Sequence, residues 1–229
     1  MQETVEISNT DKNRALGLST FAFTICFAVW TIFSIIGVSI QQELSLSDTQ
    51  FGFLVATPVL TGSISRMFLG IWTEKFGGRI VFPLQMLVTS VAVWLLTSVH
   101  TYEMFLVAAL GLGFAGGSFI IGVSYVSRWF DTKNQGTALG IFGVGNVGAA
   151  VTNFAAPFLV VALGWEGTAK IYAVVLAATA VLFYILAKED PSHKLRQSTG
   201  KDGMSLAEQL APLKRSEERR VGKECRSRW

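Results

Sequence analysis

FGFLVATPVLTGSISRMFLGI, Phe51 to Ile71, decides how this chain folds. A helix rises about 1.5 Å per residue, so a run of about 20 apolar residues crosses the ~30 Å hydrocarbon layer of a bilayer. The stretch has that length and no strand-like alternation, and it reads as a membrane-spanning helix. Its one charged residue is Arg66. A cation at that depth costs at least about 2.5 kcal/mol, which makes an intramembrane arginine a candidate functional group. Helical spacing places Gly62, Ser63 and Gly70 beside it, a small and polar face suited to lining a cavity, whereas Leu60, Ile64, Phe68 and Ile71 fall mostly elsewhere. The competing reading is an arginine snorkelling to the membrane surface, since Arg66 lies only about two turns from the end of the stretch.

Five similar windows surround this one. The six expected spans are Leu18–Ile40, Gln50–Ile71, Ile80–Ser98, Met104–Val126, Gly136–Leu163 and Ala169–Ala187. The chain is therefore expected to be an all-α membrane protein with a six-helix bundle over residues 18–187. Residues 1–17 read as a cytoplasmic tail and 188–214 as a cytoplasmic linker, in which Ser205–Leu213 has the pattern of a short surface helix. The first span is too long, and its leader too acidic (Glu3, Glu6, Asp11), for a removable signal peptide. Basic residues set the orientation. Lys12, Arg14, Lys75, Arg79, Arg128, Lys133, Lys188 and Lys194 fall in one set of connections, while the alternate loops hold only Lys170 beside Glu43, Asp48, Glu103 and Glu166. By the positive-inside rule both termini are cytoplasmic.

The formal net charge of +3 comes from one place. Arg215–Trp229, RSEERRVGKECRSRW, holds six of the 19 basic and three of the 16 acidic residues, leaving 13 of each before it. A basic tail of this kind suits nucleic acid or anionic lipid. The segment instead resembles the conceptual translation of a sequencing adapter. Residues 215–229 are accordingly read as non-native, the native chain as cut near Lys214, and no nucleic-acid partner is expected. Cys26 and Cys225 provide no disulfide framework, and His100 and His193 both lie in connections, so neither a metal site nor a cofactor is expected. No nucleophile–base pair lies in the spans, which argues against an enzyme.

Two later segments are crowded with small residues: GLGFAGGSFIIG, Gly111–Gly122, and GTALGIFGVGNVGAA, Gly136–Ala150. Gly113/Gly117 and Gly136/Gly140 have the spacing of close helix contacts. Gly143–Gly148 is no nucleotide-binding loop, because no strand precedes it. Asn146 within it carries an amide that needs a partner in hydrocarbon, either another helix or a substrate. Between spans 2 and 3, GIWTEKFGGR (Gly70–Arg79) combines turn-forming glycines with charges able to pair with helix ends.

That loop resembles the loop motif of the major facilitator superfamily, with Glu74 where aspartate is usual; the implied role for Gly70, Glu74, Lys75, Gly77 and Arg79 is gating. From about Ala15 to Lys214 the chain resembles the N-terminal half of a bacterial nitrate/nitrite porter of that superfamily. The resemblance rests on FAVW at Phe27–Trp30, Arg66, GFAGGSF at Gly113–Phe119 and GVGNVG at Gly143–Gly148. It implies substrate binding by Arg66 and Asn146, with the rings of Phe27 and Phe119 flanking the anion. It further implies a multi-pass protein of the bacterial inner membrane, working by alternating access with a C-terminal six-helix half. No Asp or Glu falls within the six windows, which favours nitrate/nitrite exchange over a proton relay in this half. The alternatives are a superfamily porter for another small anion such as a carboxylate, and a membrane sensor or receptor with a transporter-like bundle.

Overall fold

The computed structural model describes residues 8–191. The first helix begins at Asn9, nine residues before the expected Leu18. Ser8 accepts the Thr10 N–H at its N-cap and Asp11 sits in the first turn, so the start is stabilised by a cap and by the helix dipole. The expected tail therefore contains helix from residue 9. The linker beyond residue 191, its short surface helix and the adapter-like tail lie outside the described residues.

Among the described residues eight α-helices follow in order: α1 (Asn9–Thr31), α2 (Phe33–Glu43), α3 (Asp48–Phe76), α4 (Gly78–Leu96), α5 (Tyr102–Gly113), α6 (Ser118–Ser127), α7 (Thr132–Gly143) and α8 (Val147–Leu186). They form five continuous segments long and apolar enough to cross a membrane, not six. The difference lies in the last one, Thr132–Leu186, whose 55 residues would reach about 80 Å if straight. It is broken at Gly164, where φ of 73° takes the backbone out of the helical region. Only glycine adopts that conformation without penalty, so one residue replaces the expected loop and two spans result, 132–163 and 165–186. The Thr168 hydroxyl donates to Gly164 O (2.8 Å) just past the break.

Each further irregularity has a local cause. Span 1 comprises α1 and α2, separated at Ile32. There the Ala28 carbonyl accepts the hydroxyls of Thr152 (2.8 Å) and Thr31 (3.1 Å), and Ile32 N–H turns to Val29 O instead. Span 2 is α3. It starts in a capping box between Ser47 and Gln50 and runs to Phe76, five residues beyond the expected Ile71. Gly77, at φ 81°, then turns the chain directly into α4, which is span 3. Span 4 joins α5 to α6 through a 3-10 turn at Phe114–Gly117, and span 5 joins α7 to α8 through another at Val144–Asn146. Both turns fall in the glycine-rich motifs, which were expected to be plain helix.

Packing uses small residues where backbones meet, as helices in lipid require. A Cβ on Gly113 would lie 2.5 Å from Thr61 Cβ, and one on Gly117 would overlap Leu69, so this pair forms a seam between spans 4 and 2. Gly136 and Gly140 have nothing within 4 Å and serve no such seam. Polar ties cross between spans: Ser90 Oγ donates to Ala173 O (2.7 Å), and the Tyr172 hydroxyl to Thr152 Oγ1 (3.3 Å). Phe23, Phe82, Phe105, Tyr125, Phe142 and Phe183 are fully buried between the helices. Leu60, Ile64 and Phe68 are exposed along span 2 and Ile71 is half-buried, while Ser63 and Arg66 are exposed as well. Span 2 is also the least covered, with 28% of its apolar window buried against 50% for spans 1, 3 and 4.

Candidate functional site

Arg66 sits ten residues from the end of α3, about 15 Å from it. It is held sideways. Its Nε donates to Gly116 O at 3.1 Å, across to the 3-10 turn of span 4. The close approach depends on glycine at two points: a Cβ on Gly62 would lie 3.1 Å from Gly113 O, and one on Gly116 would lie 3.2 Å from Gly62 Cα. The side chain is exposed, and among the described residues its two terminal Nη groups enter no ion pair or hydrogen bond. A guanidinium anchored through Nε keeps its two Nη groups for a second partner, and that fork matches an oxyanion. The small neighbours expected beside it are distributed unevenly: Gly62 is buried against span 4, Ser63 is exposed and Gly70 is half-buried against Ile120.

Aromatic rings lie on the same side of the bundle. Trp30 Nε1 would be 3.3 Å from a Cβ on Gly116, and it donates to Pro58 O at 3.4 Å, so the indole adjoins the turn that holds Arg66. From there the rings continue without interruption. Trp30 meets Phe27 (centroids 5.4 Å apart), Phe27 meets Phe23 (5.6 Å), and Phe23 meets both Phe119 (5.6 Å) and Phe142 (4.8 Å, stacked). Phe27 and Phe119 are therefore members of one cluster with Phe23 standing between them. Phe119 is 39% exposed and Phe27 half-buried, so both retain a free face. Sequence reasoning passed over Phe23, Trp30 and Phe142. A signal existed for Trp30, which ends the FAVW motif, whereas Phe23 and Phe142 gain their place only where the spans meet.

Asn146 closes the 3-10 turn of span 5, and its side chain is exposed. Its Nδ2 donates to Gly143 O at 2.8 Å within its own turn. One amide hydrogen is thus engaged locally; no hydrogen bond joins Asn146 to Arg66 among the described residues. The neighbouring glycines separate by role. Gly145 and Gly148 leave room for Phe23 and for the Thr24 carbonyl of span 1, whereas Gly143 has nothing within 4 Å.

The Gly70–Arg79 segment lies at the basic end of the bundle. Glu74 Oε1 pairs with Arg128 Nη2 (3.3 Å), and Arg128 Nη1 reaches the buried carboxylate of Asp190 (3.2 Å). One guanidinium thereby ties the ends of spans 2 and 4 to the chain after span 6. Arg128 and Asp190 were not among the expected loop residues, because each lies more than 50 positions from Glu74. Arg79 stacks over Tyr184 at 5.5 Å, and Lys75 over Phe76 at 5.4 Å. Gly77 carries the turn, while Gly70 contacts span 4 rather than the loop. Two further pairs, Lys188–Asp11 (2.8 Å) and Lys12–Asp131 (3.8 Å), close the same end.

Comparison with known proteins agrees with this architecture. A 36% identity over 222 residues relates the chain to "Probable nitrate/nitrite antiporter NarK1" of Thermus thermophilus, covering 92% of this chain and 49% of that protein. Proteins named "Probable nitrate transporter NarT" match at 34% in Staphylococcus epidermidis and 32% in Staphylococcus carnosus, covering 79% and 76% of this chain and 47% and 45% of theirs. The chain spans about half the length of these curated relatives. They are transporters, not enzymes. In fold it is similar to a bacterial homologue of the human lysosomal transporter Spinster in an inward-facing, occupied conformation. The TM-score is 0.69 at 17% identity, over 80% of this chain and 46% of that one. The Major Facilitator Superfamily profile matches residues 18–226. With its six spans, its small-residue helix seams and its charge-paired turn between spans 2 and 3, this nitrate-porter-like chain belongs to the Major Facilitator Superfamily.

Proposed function

We propose that the chain forms one six-helix half of a nitrate/nitrite porter that works by alternating access, with Arg66 as its principal anion ligand. The observation that supports this reading is the Arg66 Nε held by Gly116 O of span 4, with both Nη groups left for a second partner. Nitrate is planar and singly charged, and two of its oxygens match the guanidinium fork. Phe119 and Phe27 bound the same space with apolar rings that shape a flat anion and exclude water; their electronegative faces add little attraction. Asn146 retains one amide hydrogen for a third oxygen. A facing bundle would close the other side, and rocking of the two bundles would expose the site to each compartment in turn. The apolar windows lack Asp and Glu, which favours exchange of nitrate for nitrite.

Uptake by the complete reading frame in proteoliposomes tests the reading. Saturable nitrate entry should be driven by internal nitrite and should be inhibited by external nitrite far better than by formate or acetate. A preference for the carboxylates would overturn the substrate assignment and favour a carboxylate porter. In the same assay Asn146→Ala should weaken uptake about fivefold, because it removes one neutral donor worth about 1 kcal/mol. No change on that substitution would confine Asn146 to its own turn.

The proposed orientation places the Arg128 end in the cytoplasm, since the basic connections gather there. Reporter fusions should read as periplasmic after Glu103 and as cytoplasmic after Asp131. The reverse pattern would invert the topology.

A further inference from the structure

The 3-10 turn that receives Arg66 is gripped from a second side. Gln85, in the middle of α4, is 3% exposed. Its Nε2 donates to Phe114 O at 2.9 Å, and also to Thr89 Oγ1 at 3.2 Å. Phe114 is the first residue of the turn, and Gly116, which accepts from Arg66, is the third. The hydrogen bonding of the turn makes this grip possible. In a regular helix the Ser118 N–H would donate to Phe114 O; here it donates to Ala115 O. The amide of Gln85 takes its place at Phe114 O. Two side chains on different spans thus hold two carbonyls of one turn, and the position of the second carbonyl sets the direction of the Arg66 guanidinium.

We propose that Gln85 is a positioning residue for Arg66, acting through the Phe114–Gly117 turn to aim the guanidinium at the anion. The inference rests on the nitrate reading for its substrate, but the Gln85–turn–Arg66 linkage stands apart from it. A buried amide that served packing alone would need a partner of any kind, and Thr89 would suffice. The bond to Phe114 O instead competes with the regular helical pattern. Without it, Phe114 O can take back the Ser118 N–H, span 4 relaxes toward an α-helix, and Gly116 O turns away from span 2.

Two substitutions remove the donor: Gln85→Met, which keeps the length of the side chain, and Gln85→Leu, which keeps its apolar stem. In the complete transporter, either should raise the nitrate KM on the order of 10-fold, since misplacing a binding group by about 1 Å can cost up to 100-fold. The amount of protein in the membrane should stay within about twofold of wild type, which separates positioning from misfolding. Should Gln85→Met fail to accumulate, Gln85→Leu carries the same expectation. Hydrogen exchange provides a second readout that needs no substrate: the amides of residues 115–119, Ser118 above all, should exchange more slowly in either variant as the turn relaxes into a regular helix. An unchanged KM with a reduced protein level, or unchanged exchange in the turn, would overturn the proposal. If the unaltered transporter carries no nitrate, the functional reading fails, and exchange at residues 115–119 alone decides whether Gln85 holds the turn.

Discussion

Arg66→Lys should reduce nitrate uptake by about 100-fold or more while leaving the protein in the membrane. Lysine keeps the positive charge but has no Nε–H for Gly116 O and no planar fork for two oxygens. Hydrogen bonds to a charged partner contribute about 1.5–3 kcal/mol each, so losing two costs at least about 3 kcal/mol, or roughly 100-fold in affinity. The ammonium is also more strongly hydrated than a guanidinium, so stripping it of water to bind an anion costs more. Initial-rate uptake, normalised to the transporter detected in the membrane, measures the effect. Near-normal uptake by the lysine variant would show that the charge alone matters, as for a snorkelling side chain, and the anion ligand would have to be sought elsewhere.

Gly148→Ala should disrupt the bundle. The added methyl would overlap Thr24 O and lie 2.9 Å from Ala28 N, both backbone atoms of span 1. A flexible side chain in that place could swing aside; a helix backbone cannot without moving the whole span. Thr152, one turn further along α8, donates to Ala28 O, so displacement would also strain that hydrogen bond. Overpacking costs about 1–3 kcal/mol, and the upper end is expected here because the obstruction is rigid. Thermal unfolding of the detergent-solubilised protein should move down by several degrees. Gly136→Ala provides the control: it has nothing within 4 Å and lies in a helix, so the methyl should be tolerated or slightly stabilising. Equal behaviour of the two variants would mean that the α1–α8 contact is looser than described.

The aromatic cluster marks how far the site was legible in advance. Arg66 stood out because a charge in hydrocarbon is costly and so carries information at a single position. Phe27 and Phe119 were reached through resemblance, not through physical necessity, since phenylalanine is common in membrane helices. Phe23 could not be singled out in the same way. It is the ring that joins Phe27, Phe119 and Phe142, and that role exists only once spans 1, 4 and 5 meet. Asn146 shows the opposite case: its amide was recognised as needing a partner, and the structure supplies one from its own turn at Gly143 O.

By itself, the order of residues determined that this is a helical membrane protein, roughly where its spans lie, and that span 2 carries an arginine within its apolar run. Those properties follow from hydropathy, length and the cost of burying charge, all of which act locally along the chain. Only tertiary structure decided that the connection expected between Leu163 and Ala169 is a single residue, Gly164, because a glycine at positive φ looks in sequence like any other glycine. The same holds for the two 3-10 turns, for Gln85 and Arg66 meeting at one of them, and for Arg128 joining Glu74 to Asp190. Each depends on which carbonyl or carboxylate a distant side chain reaches. That choice is made by the packing of whole helices, and no local pattern encodes it.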